Sequence, residues 1–399
     1  MNFKLTEKQE ALKKEFEDFF REEMKNAPPE YGRGGIEGVY NTPEGFEFHK
    51  EMAKKLGAKG WISKTWPKDC GGQEAPMLEH LIFNEAKDRF RSPGIDIAGV
   101  GMFAPTLILA ANDDQKERLL KPIARGEVTY CQGWSEPDAG SDLASLATTA
   151  IKDGDEYVVN GQKIWTTGAH RADCMFLLAR TDPESKRSRG LSVFHLSMDL
   201  PGIEVRPIYY MDTKHVYNEV FLKDVRIPAK DLIGEENQGW KLTLETMNFE
   251  RSSLGVFFVE GKACLEEMIE YVKTTKRNGK YLSQNPFVRQ KIARLYTDLY
   301  AGHTLVFKIA WLQEQGGLRM AASAASEAKV FGTELLQKLA DFSTEIMGFY
   351  GSLSESKWAP LGGGMVDAYQ LAMGMTVAAG SSEVQRNIIA WTGLGLPRF

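Results

Sequence analysis

Within MNFERSSLG, Met247 to Gly255, an acid stands where acids are costly. Glu250 has Met247 three residues before it, Leu254 four after and Phe257 seven after, so at helical spacing it falls on an apolar stripe. Burial raises a carboxyl's proton affinity, which suits a general base that must take a weakly acidic proton. The same pattern also fits a buried ion pair with an arginine, or an acid at a subunit seam.

Three other clusters have the chemistry to meet a ligand. In YCQGWSEPDAGSDLASLATTA, Tyr130 to Ala150, small and hydroxyl residues with two glycines sit between an aromatic pair and a strand. Such a loop brings backbone N–H groups close to an anionic or heteroaromatic ligand, and it equally fits a plain surface loop. In KIWTTGAHRADC an indole, Trp165, precedes Thr166 and Thr167, which suits stacking on a planar ring and bonding its edges. A tryptophan in the core explains the indole as well. In VAAGSSEVQRNIIAW, Val377 to Trp391, a Gly-Ser-Ser turn opens a helix, giving either a phosphate site or a simple N-cap. The motifs GxGxxG, GxxxxGK[ST], HExxH and GxSxG are absent, so a nucleotide cofactor would be held in another way. GVG at 99–101 and GGG at 362–364 read as turn or packing glycines.

The elements that must position these clusters follow the order helices, strands, helices. Thr6 and Gln9 form a capping box ahead of Leu12, Phe16, Phe19 and Phe20, and helical periods recur in GFEFHKEMAKKLGAKG, MLEHLIFNEAKDRF and DDQKERLLKPIARG. This block, 1–126, reads as an N-terminal α-helical domain. Strand patterns then run through VTYCQGW, DEYVVNGQKIW, CMFLLAR, GLSVFHL, GIEVRPI and NEVFLKDVRI, a β-domain over 127–236 closed by Pro228, with Asn160-Gly161 as a hairpin turn. From 237 to 399 long apolar helices suggest a bundle, the first running through Glu250 to an end at Asn278-Gly279.

With 399 residues and 43% hydrophobic content the chain can bury a large core in two or three sub-structures. A net charge of -5 without a basic stripe argues against nucleic acid as a partner. No window approaches the roughly 18 apolar residues of a membrane span, and the N-terminus lacks a signal-like apolar run, so a soluble, cytoplasmic protein is expected. Cys70, Cys131, Cys174 and Cys264 are far apart and read as reduced thiols, with no zinc or disulfide pattern.

Taken in order, the clusters resemble the acyl-CoA dehydrogenase flavoprotein family over essentially the whole chain. YCQGWSEPDAGSDLASL is similar to the family's signature loop, with Ser135 in the place of a threonine; GQKIWTTGAHRAD is similar to the second signature and GSSEVQRNIIA to the C-terminal one. The resemblance implies an α+β fold: an N-terminal helical domain, a central β-barrel-like domain and a C-terminal four-helix bundle. FAD is expected between the last two and partly held by a neighbouring subunit. By position, Trp134, Ser135, Gly140, Ser141, Trp165, Thr166 and Thr167 would surround the flavin ring and ribityl chain. Ser141 would also touch the pantetheine arm of the thioester, and Gly380, Ser381 and Glu383 would lie near the adenosine half.

Family enzymes remove a proton alpha to a thioester while a hydride leaves the beta carbon for the flavin, giving a trans-2-enoyl-CoA. In many members the base immediately precedes the glycine of the C-terminal signature, where this chain has Ala379. A second branch, with isovaleryl- and long-chain-type enzymes and many bacterial ones, carries it in a Glu-Arg pair on the central helix. Glu250-Arg251 matches that pair, which makes Glu250 the expected general base and turns Asn248 and Arg251 toward the CoA side.

Two departures concern the adenine and pyrophosphate contacts. The family's Arg-x-x-Phe-Gly-Lys run appears as TKRNGK, with Thr275 and Asn278 at the arginine and phenylalanine places and Arg277 as a candidate substitute. The Phe-Gly-Gly segment appears as IMGFYG, leaving Phe349 and Glu345 to serve. The acyl chain is expected near RSPGIDIAGVGMFAP, where Gly99 and Gly101 leave space, and the Glu250 branch points to a bulky, branched or cyclic acyl group. Asp96 reads as a solvent-exposed loop acid, with contact to a distal part of the substrate as the other reading. A nitroalkane-type flavin oxidase and a catalytically silent subunit of a mixed tetramer are the alternatives. An electron-transfer flavoprotein and a homotetrameric assembly are implied by the resemblance alone.

Overall fold

Thr6 opens the first helix as a reciprocal cap: its hydroxyl accepts the Gln9 N–H at 3.3 Å while the Gln9 side chain accepts the Thr6 N–H at 2.9 Å. The computed structural model describes residues 4–250, 255–315, 318–354 and 356–398, with the side chains of 248–250 and 318–319 outside that description. The N-terminal segment holds α1 (Glu7–Glu23), α2 (Gly35–Tyr40), α3 (Pro43–Ala58), α4 (Met77–Arg89), α5 (Ala104–Ala110), α6 (Asp113–Gln115) and α7 (Lys121–Ala124). π-Helical turns at Gly99–Phe103 and Lys116–Leu120 lead into α5 and α7.

The middle segment carries β1 (Tyr130–Gly133), β2 (Thr149–Asp153), β3 (Glu156–Lys163), β4 (Cys174–Arg180), β5 (Leu191–Ser197), β6 (Ile203–Tyr209), β7 (His215–Pro228) and β8 (Leu232–Ile233). They form one eight-stranded sheet in the order β6-β7-β3-β2-β4-β5-β8, with β1 running parallel to β4. Every residue of CMFLLAR is buried in β4, which explains an apolar run without alternation. The set closes at β8, beyond Pro228, pairing with β5.

The Asn160-Gly161 hairpin is not formed. β3 runs through both residues, and the turn between β2 and β3 falls at Gly154 and Asp155. Gly161 sits at a register shift against β7, where a Cβ would meet the Thr148 hydroxyl at 2.3 Å, and the Asn160 amide pairs with Asp224. The dipeptide is a bulge held by a close approach.

The C-terminal segment holds α8 (Gly239–Glu250), α9 (Gly255–Thr274), a two-residue hairpin of β9 (Lys276–Arg277) and β10 (Lys280–Tyr281), then α10 (Pro286–Glu314), α11 (Leu318–Met347), α12 (Gly364–Met375) and α13 (Ser382–Ile388). Asn278 and Gly279 are the hairpin's left-handed turn, with φ of 52° and 78°, so they do not end a helix; α9 stops at Thr274. Gly302 lets α10 approach α9 closely, since a Cβ there would lie 1.9 Å from the Phe258 ring.

The described elements form two compact units. One comprises Met1–Met24, Pro76–Arg91 and Arg251–Phe399, so that α1 and α4 belong with α9 to α13; the other comprises Lys25–Ala75 and Ser92–Glu250. The first has a core around Phe258, Leu265, Met268, Leu299 and Leu339, and the second centres on the sheet around Met175, Leu177, Phe194 and Val220. Among the described residues, no helix is long and apolar enough to cross a membrane, and no cluster of His, Cys, Asp and Glu is arranged to hold a metal ion. All four cysteines are free thiols.

Candidate active site

Two of the motif segments meet inside the sheet unit. β1 ends at Gly133, and Trp134, Ser135 and Glu136 follow it; β3 ends at Lys163, and Ile164 to Gly168 follow. The fully enclosed Lys163 Nζ donates to the Trp134 carbonyl at 3.1 Å and to Glu136 Oε1 at 2.8 Å, and the Ile164 N–H donates to the Ser135 carbonyl at 2.9 Å. Glu136 also accepts the N–H groups of Ala147 (2.6 Å) and Thr148 (2.9 Å), which closes the loop over Pro137 to Leu146. Burial presses the Lys163 ammonium down to about 8, partly opposed by Glu136. Burial alone would raise the Glu136 carboxyl, but Lys163 and the N–H donors hold it below its ordinary value. The pair is charged near neutrality and ties the two segments together.

Trp165 has a left-handed backbone, φ 59°, and its indole is 53% exposed, edge-on to Tyr217 at 5.9 Å. A bulky residue in that region is strained, and such strain clusters at functional sites. The N–H groups of Thr166 and Gly168 donate to the carbonyls of Asn218 and Val216 on β7, and Thr167 between them is half-buried. Ser135 is half-buried, while Gly140 and Ser141 are exposed, with open space where a Gly140 Cβ would stand. Trp134 Nε1 and Thr166 Oγ1 are buried without a hydrogen-bond partner. Orphaned buried donors require explanation. Together with the exposed indole and the half-buried hydroxyls, they fit a planar heteroaromatic group with polar edges, as a flavin is.

Asp96 differs from its expectation as a solvent-exposed acid. It is 5% exposed, and its carboxylate accepts three backbone N–H groups: Ala98 at 3.2 Å, Gly99 at 3.1 Å and Tyr130 at 2.6 Å. It joins the loop before α5 to the start of β1, one short strand ahead of Trp134. Burial raises its carboxyl to about 7 against those three bonds. Gly99 does not make room for substrate, because a Cβ there would lie 2.4 Å from Asp96 Oδ2; Gly101 has open space beside it. Sequence reasoning had no signal for this burial, since the donors come from two separate segments.

α5 and α8 are joined by a short buried contact between the hydroxyls of Thr106 and Thr246 (2.5 Å), so position 250 lies one helical turn beyond an anchored point. The side chains of Asn248 and Glu250, and Arg251 altogether, lie outside the described residues.

The C-terminal signature is built in the helical unit. Ala379 and Gly380 are both left-handed, φ 52° and 85°; Gln385 Nε2 holds the Ala379 carbonyl at 2.9 Å and the buried Lys329 Nζ holds the Gly380 carbonyl at 2.8 Å. Ser381 caps α13 by accepting the Val384 N–H at 3.3 Å, and Glu383 is exposed, its carboxyl lowered by its own N–H and the Ser381 hydroxyl. Arg277 donates to the Ile346 carbonyl at 2.6 Å, so its guanidinium is engaged within the chain, and Phe349 is 98% exposed. Thr275 donates its N–H to Tyr271 and accepts that of Leu282.

Comparison with known proteins bears on the whole chain. The family models "Acyl-CoA dehydrogenase, N-terminal domain", "middle domain" and "C-terminal domain" match residues 6–127, 131–225 and 237–394. "Acyl-CoA dehydrogenase FadE26" of Mycobacterium tuberculosis is 34% identical over 100% of this chain and 99% of its own length. Among solved structures, the "Tcur3481-Tcur3483 steroid ACAD" matches with a TM-score of 0.88 and 30% identity, and the "ChsE4-ChsE5 complex from Mycobacterium tuberculosis" with 0.88 and 33%; each covers 100% of both chains.

Proposed function

We propose that this chain, which belongs to the acyl-CoA dehydrogenase family, uses FAD to dehydrogenate a bulky, branched or cyclic acyl-CoA to its trans-2-enoyl-CoA. That it is an acyl-CoA dehydrogenase oxidoreductase follows from the three matched domains and the named relatives. The observation that carries the cofactor reading is the joining of Trp134–Glu136 to Lys163–Thr167, with orphaned donors and an exposed, strained Trp165 at the seam. Bound there, FAD would accept the hydride that leaves the beta carbon.

The residues have separate tasks. Trp165, Ser135 and Thr167 would hold the ring plane and its polar edge, and Gly140 and Ser141 would meet the ribityl chain and pantetheine arm. Gly380, Ser381 and Glu383 are proposed for the adenosine half. Glu250 would remove the alpha proton, with Asn248 and Arg251 toward the CoA. Ala379, at the alternative base position, has no titratable group, which supports Glu250. Support for a bulky acyl group comes from the open space at Gly101 and from a neighbour titled a steroid enzyme.

Glu250→Gln is expected to bind FAD normally and to lose about 10²–10⁴-fold in the rate of flavin reduction by acyl-CoA, the range for a general base. Normal bleaching of the flavin band by that variant would overturn the assignment. An electron-transfer flavoprotein is the proposed acceptor. A mixed assembly is the second reading, favoured by two full-length structural matches whose titles each name two components.

A further inference from the structure

Behind the Trp165–Thr167 segment stands a residue that none of the motifs contains. Asn218, on β7, is fully enclosed. Its backbone carbonyl accepts the Thr166 N–H at 3.0 Å and its Nδ2 donates to the Thr166 carbonyl at 2.9 Å. One residue therefore holds Thr166 by both of its main-chain polar groups. The same amide reaches His170 Nδ1 at 3.1 Å through Nδ2 and His215 Nε2 at 2.8 Å through Oδ1.

The donor and acceptor roles have one consistent solution. A carbonyl only accepts, so the Thr166 oxygen requires Nδ2 on its side of the amide. His170 Nδ1 must then accept, which places that ring's proton on Nε2, where the Tyr40 carbonyl takes it at 3.0 Å. Oδ1 in turn requires the proton of His215 on Nε2. The two imidazoles stack at 3.8 Å, and burial keeps His170 neutral by lowering it to about 4. Arg171 Nε adds a second donor to Tyr40's carbonyl at 3.1 Å, and Asn41 Oδ1 accepts the His215 N–H at 3.1 Å. The far end of the network is thus fixed to the end of α2.

We propose that Asn218 is a positioning residue for the flavin site: by clamping Thr166 to β7 it keeps Trp165 in its left-handed conformation and fixes the backbone that carries Thr167. The inference rests on the FAD reading above. Asn218 touches no reacting atom, and its effect would reach the ring through Trp165 and Thr167.

The test compares wild type with Asn218→Leu, which removes the amide's bonds, and with Asn160→Ala, which removes a side-chain pair to Asp224 elsewhere on the same sheet. FAD is titrated into each apo-protein, and the visible spectrum of the bound flavin and the thermal midpoint are recorded. The expected result is an about tenfold weaker FAD affinity and a shifted flavin band for Asn218→Leu, the loss of one to two buried hydrogen bonds. Asn160→Ala should show neither change, whatever it does to the midpoint. Should Asn218→Leu not fold, His215→Phe decides: it keeps the stack, drops the bond to Oδ1 and is expected to shift the flavin band. Wild-type affinity and spectrum in a folded Asn218→Leu, or in His215→Phe where that variant decides, overturn the proposal while leaving the FAD reading intact. A wild-type protein that stays colourless with FAD supplied overturns both.

Discussion

Asp96 shows how a residue's role depends on groups its own neighbourhood does not reveal. Loop acids are usually exposed, and nothing in GIDIAG announces that the Tyr130 N–H will close on the same carboxylate as those of Ala98 and Gly99. For Glu250 the sequence itself carries the two signals behind its proposed role as general base, the apolar stripe and the alanine at 379. Asp96→Asn sets an NH2 group against an N–H donor and is expected to cost about 1–3 kcal/mol in urea unfolding, without altering acyl-CoA preference. A pH series separates the charge from the shape. The folded carboxyl holds its proton to about 7 while its ordinary value is 3.8, so the native state binds more protons in between. Stability of the wild type should therefore fall as pH rises from about 4 to about 7, and Asp96→Asn should lack that component. Parallel slopes for the two proteins would refute a perturbed Asp96.

Elements were legible where one period dominates: the capped α1, the apolar β4 and the long α10 and α11 all follow from pattern. Turn chemistry was less so, because Asn-Gly serves two purposes in this chain. At Asn278-Gly279 it makes a tight hairpin, and at Asn160-Gly161 it makes a bulge, since Thr148 just before β2 and Asp224 on β7 decide the second case. The link between β1 and β3 was invisible for the same reason: Lys163 and Glu136 lie in different motifs, and only the sheet brings them to 2.8 Å. Lys163→Met leaves a buried carboxylate without its cation and is expected to cost about 3–5 kcal/mol, with loss of FAD retention because Trp134 and Ser135 are released. Adding Glu136→Gln should recover part of the stability, since removing the stranded charge relieves the main penalty. Equal unfolding midpoints for Lys163→Met and wild type would mean that the pair does not fasten the two segments.

At the scale of the whole molecule the question is what covers the helical unit. Tyr296, Tyr300 and Trp311 are exposed and fall on one face of α10 by their spacing of four and eleven residues, and Phe287 and Phe349 are exposed on the same unit. Aromatic surface of this extent is characteristic of protein interfaces. A seam between identical chains and one with a related chain bury the same residue types. Native mass measurement of the chain expressed alone makes the distinction: a single species of four copies supports the homotetramer, whereas a smaller species that grows only when a second family member is co-expressed supports the mixed assembly. Tyr296→Glu with Tyr300→Glu should reduce either assembly to smaller species with an unchanged circular dichroism spectrum, since burying two unpaired carboxylates at a seam is strongly unfavourable. An unchanged native mass in that double variant would place the seam elsewhere on the helical unit or on the sheet unit, and the exposed stripe of α10 would then need a different partner.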